Sequence, residues 1–293
     1  MHQKTLRRSC EIRGIGLHTG KDAKIVVHPA PADHGVVFRV SRGRKAVDIK
    51  ARAKYVNRTR LSTCIGRKRR EVCTVEHFMA AVYGLEIDNL LVEVEGGEVP
   101  VMDGSALPFV NSLGAAGYTV QPVPKRYIRV LEPIVVKGET RTAGLYPSPI
   151  PIFSFEIDFD HPAIQVQSRS IPLTPRTFVN EISKARTFGF EKDLQALQRK
   201  GLALGVGLEN CVGLGRDGSV LNPEGLRYED EFVRHKILDA IGDLSLAGYP
   251  LLAEYRGQKS GHALNLRLVQ ALLETPENWE LIDSGEAPHA QAV

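Results

Sequence analysis

VRHKILDAIGDL, residues Val233 to Leu244, is the stretch on which the reading of the fold turns. An α-helix advances about 100° per residue, so positions four apart lie nearly above one another. His235, Asp239 and Asp243 therefore form a narrow ridge with Lys236 beside it, while Val233, Ile237, Leu238, Ala240, Ile241 and Leu244 cover the opposite side. Taken alone, such a ridge is the solvated face of an amphipathic helix. A second stretch, VEHFMAAVYGL (Val75 to Leu85), gives it another meaning. Set one above the other, Val75 falls on Val233, His77 on His235, Met79 on Ile237 and Gly84 on Gly242. Where the later helix has Lys236 and Asp239, the earlier one has Phe78 and Ala81, so it is apolar almost all round and is expected to be buried. A buried histidine must be hydrogen-bonded or bound to something.

The two stretches lie half a chain apart, which predicts two copies of one unit with the histidines in equivalent places. Their flanks read as β-structure. IVVHPA, VVFRV and NLLVEVEGGEVPV in the first half, and YIRVLEPIVVKG, IPIFSFEIDF and SVLNPEG in the second, carry β-branched residues between Gly- and Pro-rich turns. Each half is thus expected to be a mostly antiparallel sheet with helices on one face, an α+β arrangement. The expected domains are residues 1–122 and 126–285, joined through TVQPVPKRYI with its Pro122 and Pro124. EAPHAQAV, residues 286–293, is expected to be a disordered tail in which His289 is incidental.

Bulk properties narrow the class. A chain of 293 residues, 43% hydrophobic and 25% charged, is an ordinary soluble globular protein with room for two domains. A formal net charge of +4 suits an anionic substrate or surface but falls short of a nucleic-acid-binding composition. Cys10, Cys64, Cys73 and Cys211 form no CxxC pair, so neither a disulfide framework nor a thiolate zinc site is expected. MHQKTLRRSC has no apolar leader core, and no apolar run reaches the roughly 18 residues of a membrane span, so a cytoplasmic location is expected. The run RKRR, Arg67 to Arg70, reads as a solvated turn between two strands, with contact to an anionic lipid surface as the sharper alternative.

If the two helices bring His77, His235 and Asp239 together, the set is two imidazoles and a carboxylate. A catalytic zinc takes three such ligands and keeps a fourth position for water, whose pKa it lowers. Glu76 then becomes a candidate general base, or else a carboxylate favouring the positive end of its helix. In KSGHALN, Gly261 permits an unusual turn before His262, which is either a helix cap or an acid held protonated by Asp243. Such an acid could protonate a leaving amine or stabilise an oxyanion. Ser260 lacks a GxSxG elbow, which argues against a serine hydrolase.

TVEHFMAAVYGLEIDN, VPVMDGSALPFV, LNPEGLRYEDEFVRHKILDAIGDL and SGHALN, with RRSCEIRGIGLHTGK and ARTFGF, resemble the UDP-3-O-acyl-N-acetylglucosamine deacetylase family, the zinc amidases of lipid A synthesis. The blocks follow family order from Arg7 to Leu273. The resemblance implies two similar α+β domains packed face to face as a sandwich, of the type of the second domain of ribosomal protein S5, with one catalytic Zn2+ between them. It implies His77, His235 and Asp239 as metal ligands, Glu76 as general base, and His262, oriented by Asp243, as second acid/base. Thr187 and Lys236 take the places of contacts to the acetyl group or its oxyanion, Lys259 that of a nucleotide-side contact, and His18 borders the site. FGFEKDLQALQRKGLALGVGLENCV, within an insert near 187–212, resembles the apolar passage for a fatty acyl chain, with Phe188, Leu197 and Leu208 as contacts. Read without the resemblance, Glu191 to Lys200 is a plain amphipathic helix packing Leu194 and Leu197 inward. Val206 and Gly207 stand where the family commonly has Gly-Ser, a departure that bears on the passage's shape, and Cys73, often serine in relatives, reads as a tolerated change.

The implied substrate is an acylated UDP-amino sugar and the implied partner set is otherwise small: no nucleic acid, a monomer, with at most weak membrane-surface association. Two rivals make different predictions. Another amide hydrolase would share the metal set but not the acyl insert. An RNA-binding module, since similar small α+β units occur in ribosomal proteins, would be metal-free and strongly salt-sensitive.

Overall fold

The computed structural model describes residues 1–42 and 45–286; apart from Glu286, the expected tail 286–293, with His289, lies outside the described residues. In the first half, strands run Cys10–Ile15, Asp22–Pro29, Leu90–Glu95, Val36–Arg42, Lys45–Lys50 across one five-stranded sheet. All neighbours are antiparallel except Leu90–Glu95 with Val36–Arg42. Period-two alternation places Ile25, Val27, Val92 and Val94 on the inner face, where helices α1 (Glu76–Gly84) and α2 (Leu107–Ala116) cover them.

The second half has a seven-stranded mixed sheet centred on Leu251–Gln258, which pairs parallel with Arg126–Val130 and Ile152–Phe159 and antiparallel with Thr142–Pro147. Short α3 (Pro175–Thr177) starts at a Thr174 capping box, and α4 (Glu191–Arg199) lies between the strands Phe188–Phe190 and Val212–Leu214. Helices α5 (Glu231–Leu244) and α6 (His262–Glu274) line the sheet's inner side. The α+β class is as expected, with helices to the inside of both sheets and α1 packed on α5.

That packing explains the ridge. His235, Asp239 and Asp243 are all buried, because α5 is enclosed on one side by its own sheet and on the other by α1. Taken alone the ridge reads as a solvated face; set beside the α1 repeat it reads as the wall of a site with Asp239 hidden, and the packing buries it so. Gly242 sets how close the helices come, since a Cβ there would lie 2.1 Å from the Glu76 carbonyl oxygen. Glycine inside a helix costs about 1 kcal/mol relative to alanine. Here it is nevertheless required, because relieving the clash would move one backbone off another. Gly242→Ala is accordingly expected to lose about 1–3 kcal/mol of stability despite its better helix propensity. A denaturation midpoint equal to or above that of the unaltered protein would contradict this.

Three local expectations need correction. The segment read as a linker is instead a strand, Tyr118–Pro124, paired antiparallel with His2–Leu6. Its prolines are tolerated because the two strands form a sheet of their own, with edges that need no amide donor. SVLNPEG contributes only an isolated bridge between Val220 and Leu214. There the Asn222 side chain replaces a ladder, accepting from the Gly213 N–H at 2.8 Å and donating to the Leu208 and Cys211 carbonyls at 2.8 and 3.1 Å. Finally, Cys64 and Cys73 form a disulfide. The hairpin Cys64–Arg67 and Arg70–Val72 pairs Ile65 with Val72, which brings the next residues out, the two cysteines, opposite one another. Nine residues of separation make no cysteine motif, so register rather than spacing creates the pair. The RKRR run is the exposed turn of this hairpin, with Lys68 and Arg69 at φ 49° and 60°.

Candidate metal and acid–base site

α1 begins at Glu76 because the chain before it is fixed by a buried carboxylate. Glu98 accepts from Thr74 Oγ1 at 2.9 Å, from the His18 N–H at 2.9 Å, and from the Thr19 N–H and hydroxyl at 3.1 and 2.8 Å. Thr74, with φ 57°, turns the chain into the helix, so one side chain ties the GLHTG loop to the start of α1. Glu98 was not singled out from the sequence, where it falls within NLLVEVEGGEVPV, a stretch read as β-structure.

Across the α1–α5 contact the two histidine rings meet edge to face with centroids 4.9 Å apart. His77 Nε2 and His235 Nε2 lie 3.5 and 3.4 Å from Asp239 Oδ1. One potential ligand atom from each of these three buried residues falls within 4.8 Å of the others. Two bonds of about 2 Å meeting at a tetrahedral angle span about 3.3 Å, so the donor set fits one ion of zinc's size. His235 Nδ1 is 3.1 Å from the Ala185 carbonyl, an interaction that makes it the donor and leaves Nε2 free as a ligand. Among the described residues His77 Nδ1 is buried without a hydrogen-bond partner, while its Nε2 faces Asp239. The cluster could therefore hold a metal ion.

Charge in the cluster is already arranged. Burial opposes ionisation of Asp239, yet the Lys236 ammonium paired to it holds its carboxyl well below the usual range. Burial pushes His235 down to about 3, against the pull of Asp239, so its ring is neutral. On the far side of the cluster lies a second couple, one member from each half. His262, the first residue of α6, has Nδ1 2.9 Å from Asp243 Oδ2 and Nε2 3.8 Å from Glu76 Oε1. Burial works against its proton, but the charge and hydrogen bond of Asp243, together with the charges of Asp239 and Glu76, outweigh burial and raise it to about 10. Burial pushes Glu76 up, with His262 and His77 acting in the opposite sense. Gly261 does not supply the expected unusual turn: its φ of −172° is ordinary extended backbone, and the left-handed residue is Lys259 at 51°.

Thr187, Phe188, Leu197, Leu208 and His18 line a single cavity of about 260 Å³, with Val206 and Gly207 in the same wall. The Phe188 ring packs edge-on against Phe232 and 6.3 Å from the His235 ring, so the cavity adjoins the cluster. Leu194 and Leu197 of α4 face it, as the amphipathic pattern predicts. Burial lowers the pKa of His18, Glu98 opposing it. Lys259 stands apart from these groups, half-exposed and paired at 2.6 Å with Asp158.

Arg186 holds ARTFGF in place and was not singled out from the sequence. Only 1% exposed, it bonds Glu231 through Nε at 2.9 Å, Glu224 at 2.6 Å and the Gly225 carbonyl at 2.7 Å, and its own N–H donates to Glu231. The pair fixes Thr187 beside the first turn of α5. Arg186→Met would strand a buried carboxylate, and a loss of about 3–5 kcal/mol is expected in denaturant unfolding. A change below about 1 kcal/mol, the size of an exposed pair, would show the pair to be incidental.

Fold and site define a class: an α+β protein whose central helices carry a cluster able to hold one metal ion, with a buried carboxylate–histidine couple and an apolar cavity beside it. Comparison places the chain more narrowly. A model of the family UDP-3-O-acyl N-acetylglycosamine deacetylase matches residues 3–274. Proteins named UDP-3-O-acyl-N-acetylglucosamine deacetylase are similar over nearly their whole length. That of Syntrophotalea carbinolica is 45% identical, covering 98% of this chain and 93% of the relative. Those of Pseudomonas entomophila and Thioalkalivibrio sulfidiphilus are 45% and 46% identical, covering 98% and 100% of this chain and 96% and 99% of theirs. The chain belongs to the UDP-3-O-acyl N-acetylglycosamine deacetylase family.

Proposed function

We propose that the protein is a zinc-dependent deacetylase that hydrolyses the N-acetyl group of UDP-3-O-acyl-N-acetylglucosamine, releasing acetate and UDP-3-O-acyl-glucosamine, the committed step of lipid A synthesis. The observation that carries this reading is the buried meeting of His77, His235 and Asp239 beside the Glu76–His262 couple. His77, His235 and Asp239 would hold the zinc, which when bound supplies Lewis-acid polarisation and makes water more acidic. Glu76 takes the proton of the attacking water; burial raises its pKa toward the range in which a carboxylate is an effective base. His262, kept protonated by Asp243, donates to the departing nitrogen and, with Thr187 and Lys236, faces the developing negative charge. The cavity of about 260 Å³ receives the acyl chain, each buried CH₂ contributing about 0.8 kcal/mol. Lys259 is read as a contact on the nucleotide side.

In this reading residues 1–122 and 126–285 are two domains, each bringing one histidine. The protein acts as a cytoplasmic monomer, and its RKRR turn allows weak contact with anionic lipid. No helix among the described residues is long and apolar enough to cross a membrane. The decisive assay compares acetate release from the acylated UDP-sugar and from its non-acylated counterpart. Strong preference for the acylated compound is expected; equal rates would favour an amide hydrolase of other specificity.

The acid role of His262 also predicts a pH dependence. A group with a pKa of about 10 keeps its proton through neutral pH, so activity should fall only as pH rises toward that value. Asp243→Asn removes the leading charge that holds this proton against burial, and the alkaline limb of kcat is expected to move down by more than about two pH units. An unmoved limb would exclude His262 as the acid.

A further inference from the structure

The Glu76–His262 couple joins two halves of the chain, and one residue outside the motifs contacts both Glu76 and the Asp243 that pairs with His262. Thr63 is 2% exposed. Its N–H donates to Glu76 Oε2 at 3.0 Å, and its hydroxyl donates to Asp243 Oδ1 at 2.6 Å. The backbone beneath it is fixed: the Thr63 carbonyl accepts from the Val75 N–H at 3.3 Å, and the adjacent Cys64 is bonded to Cys73. Thr63 thus reaches from the first half into the second.

The other Asp243 oxygen is differently served. Oδ2 faces His262 Nδ1 at 2.9 Å and accepts from Asn265 Nδ2 at 2.9 Å. Asn265 is itself locked, its Oδ1 accepting from the Tyr255 hydroxyl at 2.8 Å and the Ser260 hydroxyl at 2.7 Å. Among the described residues, Thr63 is the donor to Oδ1. An ionised carboxylate only accepts, and two fixed oxygens fix its plane. With Oδ1 released, a buried oxygen lacks a donor and the carboxylate can turn about its χ2 axis, taking the His262 ring with it.

We propose that Thr63 is a positioning residue of the acid–base couple: its hydroxyl sets the Asp243 carboxylate, and through it the direction of His262, while its N–H orients Glu76. The proposal rests on the acid–base roles given above. It separates two functions of one residue, because Thr63→Val removes the hydroxyl contact and keeps the N–H. In zinc-loaded protein, Thr63→Val is expected to retain its zinc and a near-normal KM while kcat falls about 10–100-fold, the loss of one hydrogen bond to a charged group. Thr63→Ala, which adds no methyl against the carboxylate, should match it. Thr63→Ser should recover kcat to within about threefold, a rescue that a packing role would not give.

A spectroscopic readout judges the proposal without substrate. The downfield proton resonance of the His262 Nδ1–H, assigned by its loss in Asp243→Asn, should shift or broaden in Thr63→Val and Thr63→Ala and return in Thr63→Ser. Turnover by the unaltered protein tests the deacetylase reading; this resonance tests Thr63 alone. The proposal is overturned if kcat and the resonance are unchanged in both hydroxyl-less variants, or if the serine variant is impaired as much as valine.

Discussion

Glu76→Ala is expected to bind zinc as the unaltered protein does while losing about 10²–10⁴-fold in kcat, the usual contribution of a general base. The carboxylate is buried at the start of α1, with one oxygen bonded to the Thr63 N–H and the other 3.8 Å from His262 Nε2. It lies next to the cluster, but the converging atoms belong to His77, His235 and Asp239, so its removal should leave the metal in place. A carboxylate serving only the helix terminus would contribute about 0.3–1 kcal/mol to stability and nothing to turnover. Metal analysis with steady-state kinetics separates the two: full turnover, or loss of zinc, would remove Glu76 from the role assigned to it.

Asp239→Ala should act on the other side of that division, weakening zinc binding by more than about 100-fold, beyond what the loss of a supporting contact does. Asp239 is the cluster's single anion, 3% exposed, and is shared by both imidazoles and by Lys236. Without it, Lys236 would leave an uncompensated positive charge beside the cation's place, so repulsion adds to the missing ligand. A variant that keeps its full metal content would show that the ligands lie elsewhere.

The parts of this site legible in the sequence are those written in one helix or in its repeat. The i, i+4 pair of His235 and Asp239 and the alignment of His77 with His235 needed only helical periodicity. The all-round apolarity of α1 announced its burial, and the alternation in IVVHPA and NLLVEVEGGEVPV announced strands. What periodicity could not supply is the environment. The ridge of α5 reads as solvated until a second helix covers it, and Gly242 reads as a weakness until the Glu76 carbonyl is found against it. Thr63, Glu98, Asn265 and Arg186 are ordinary polar residues in sequence, and each acquires its task from a partner far along the chain. The same holds for Cys64 and Cys73, joined by strand register, and for Tyr118–Pro124, where prolines suggested a linker but strand pairing prevailed.

The central claim is that histidines from the two halves bind one ion together with Asp239. X-ray absorption at the zinc edge of the purified, zinc-loaded protein tests it most directly. The account predicts one zinc per chain with two imidazole nitrogens at about 2.0–2.1 Å and only oxygen besides. A spectrum with a single imidazole, or with sulfur at about 2.3 Å, would contradict it.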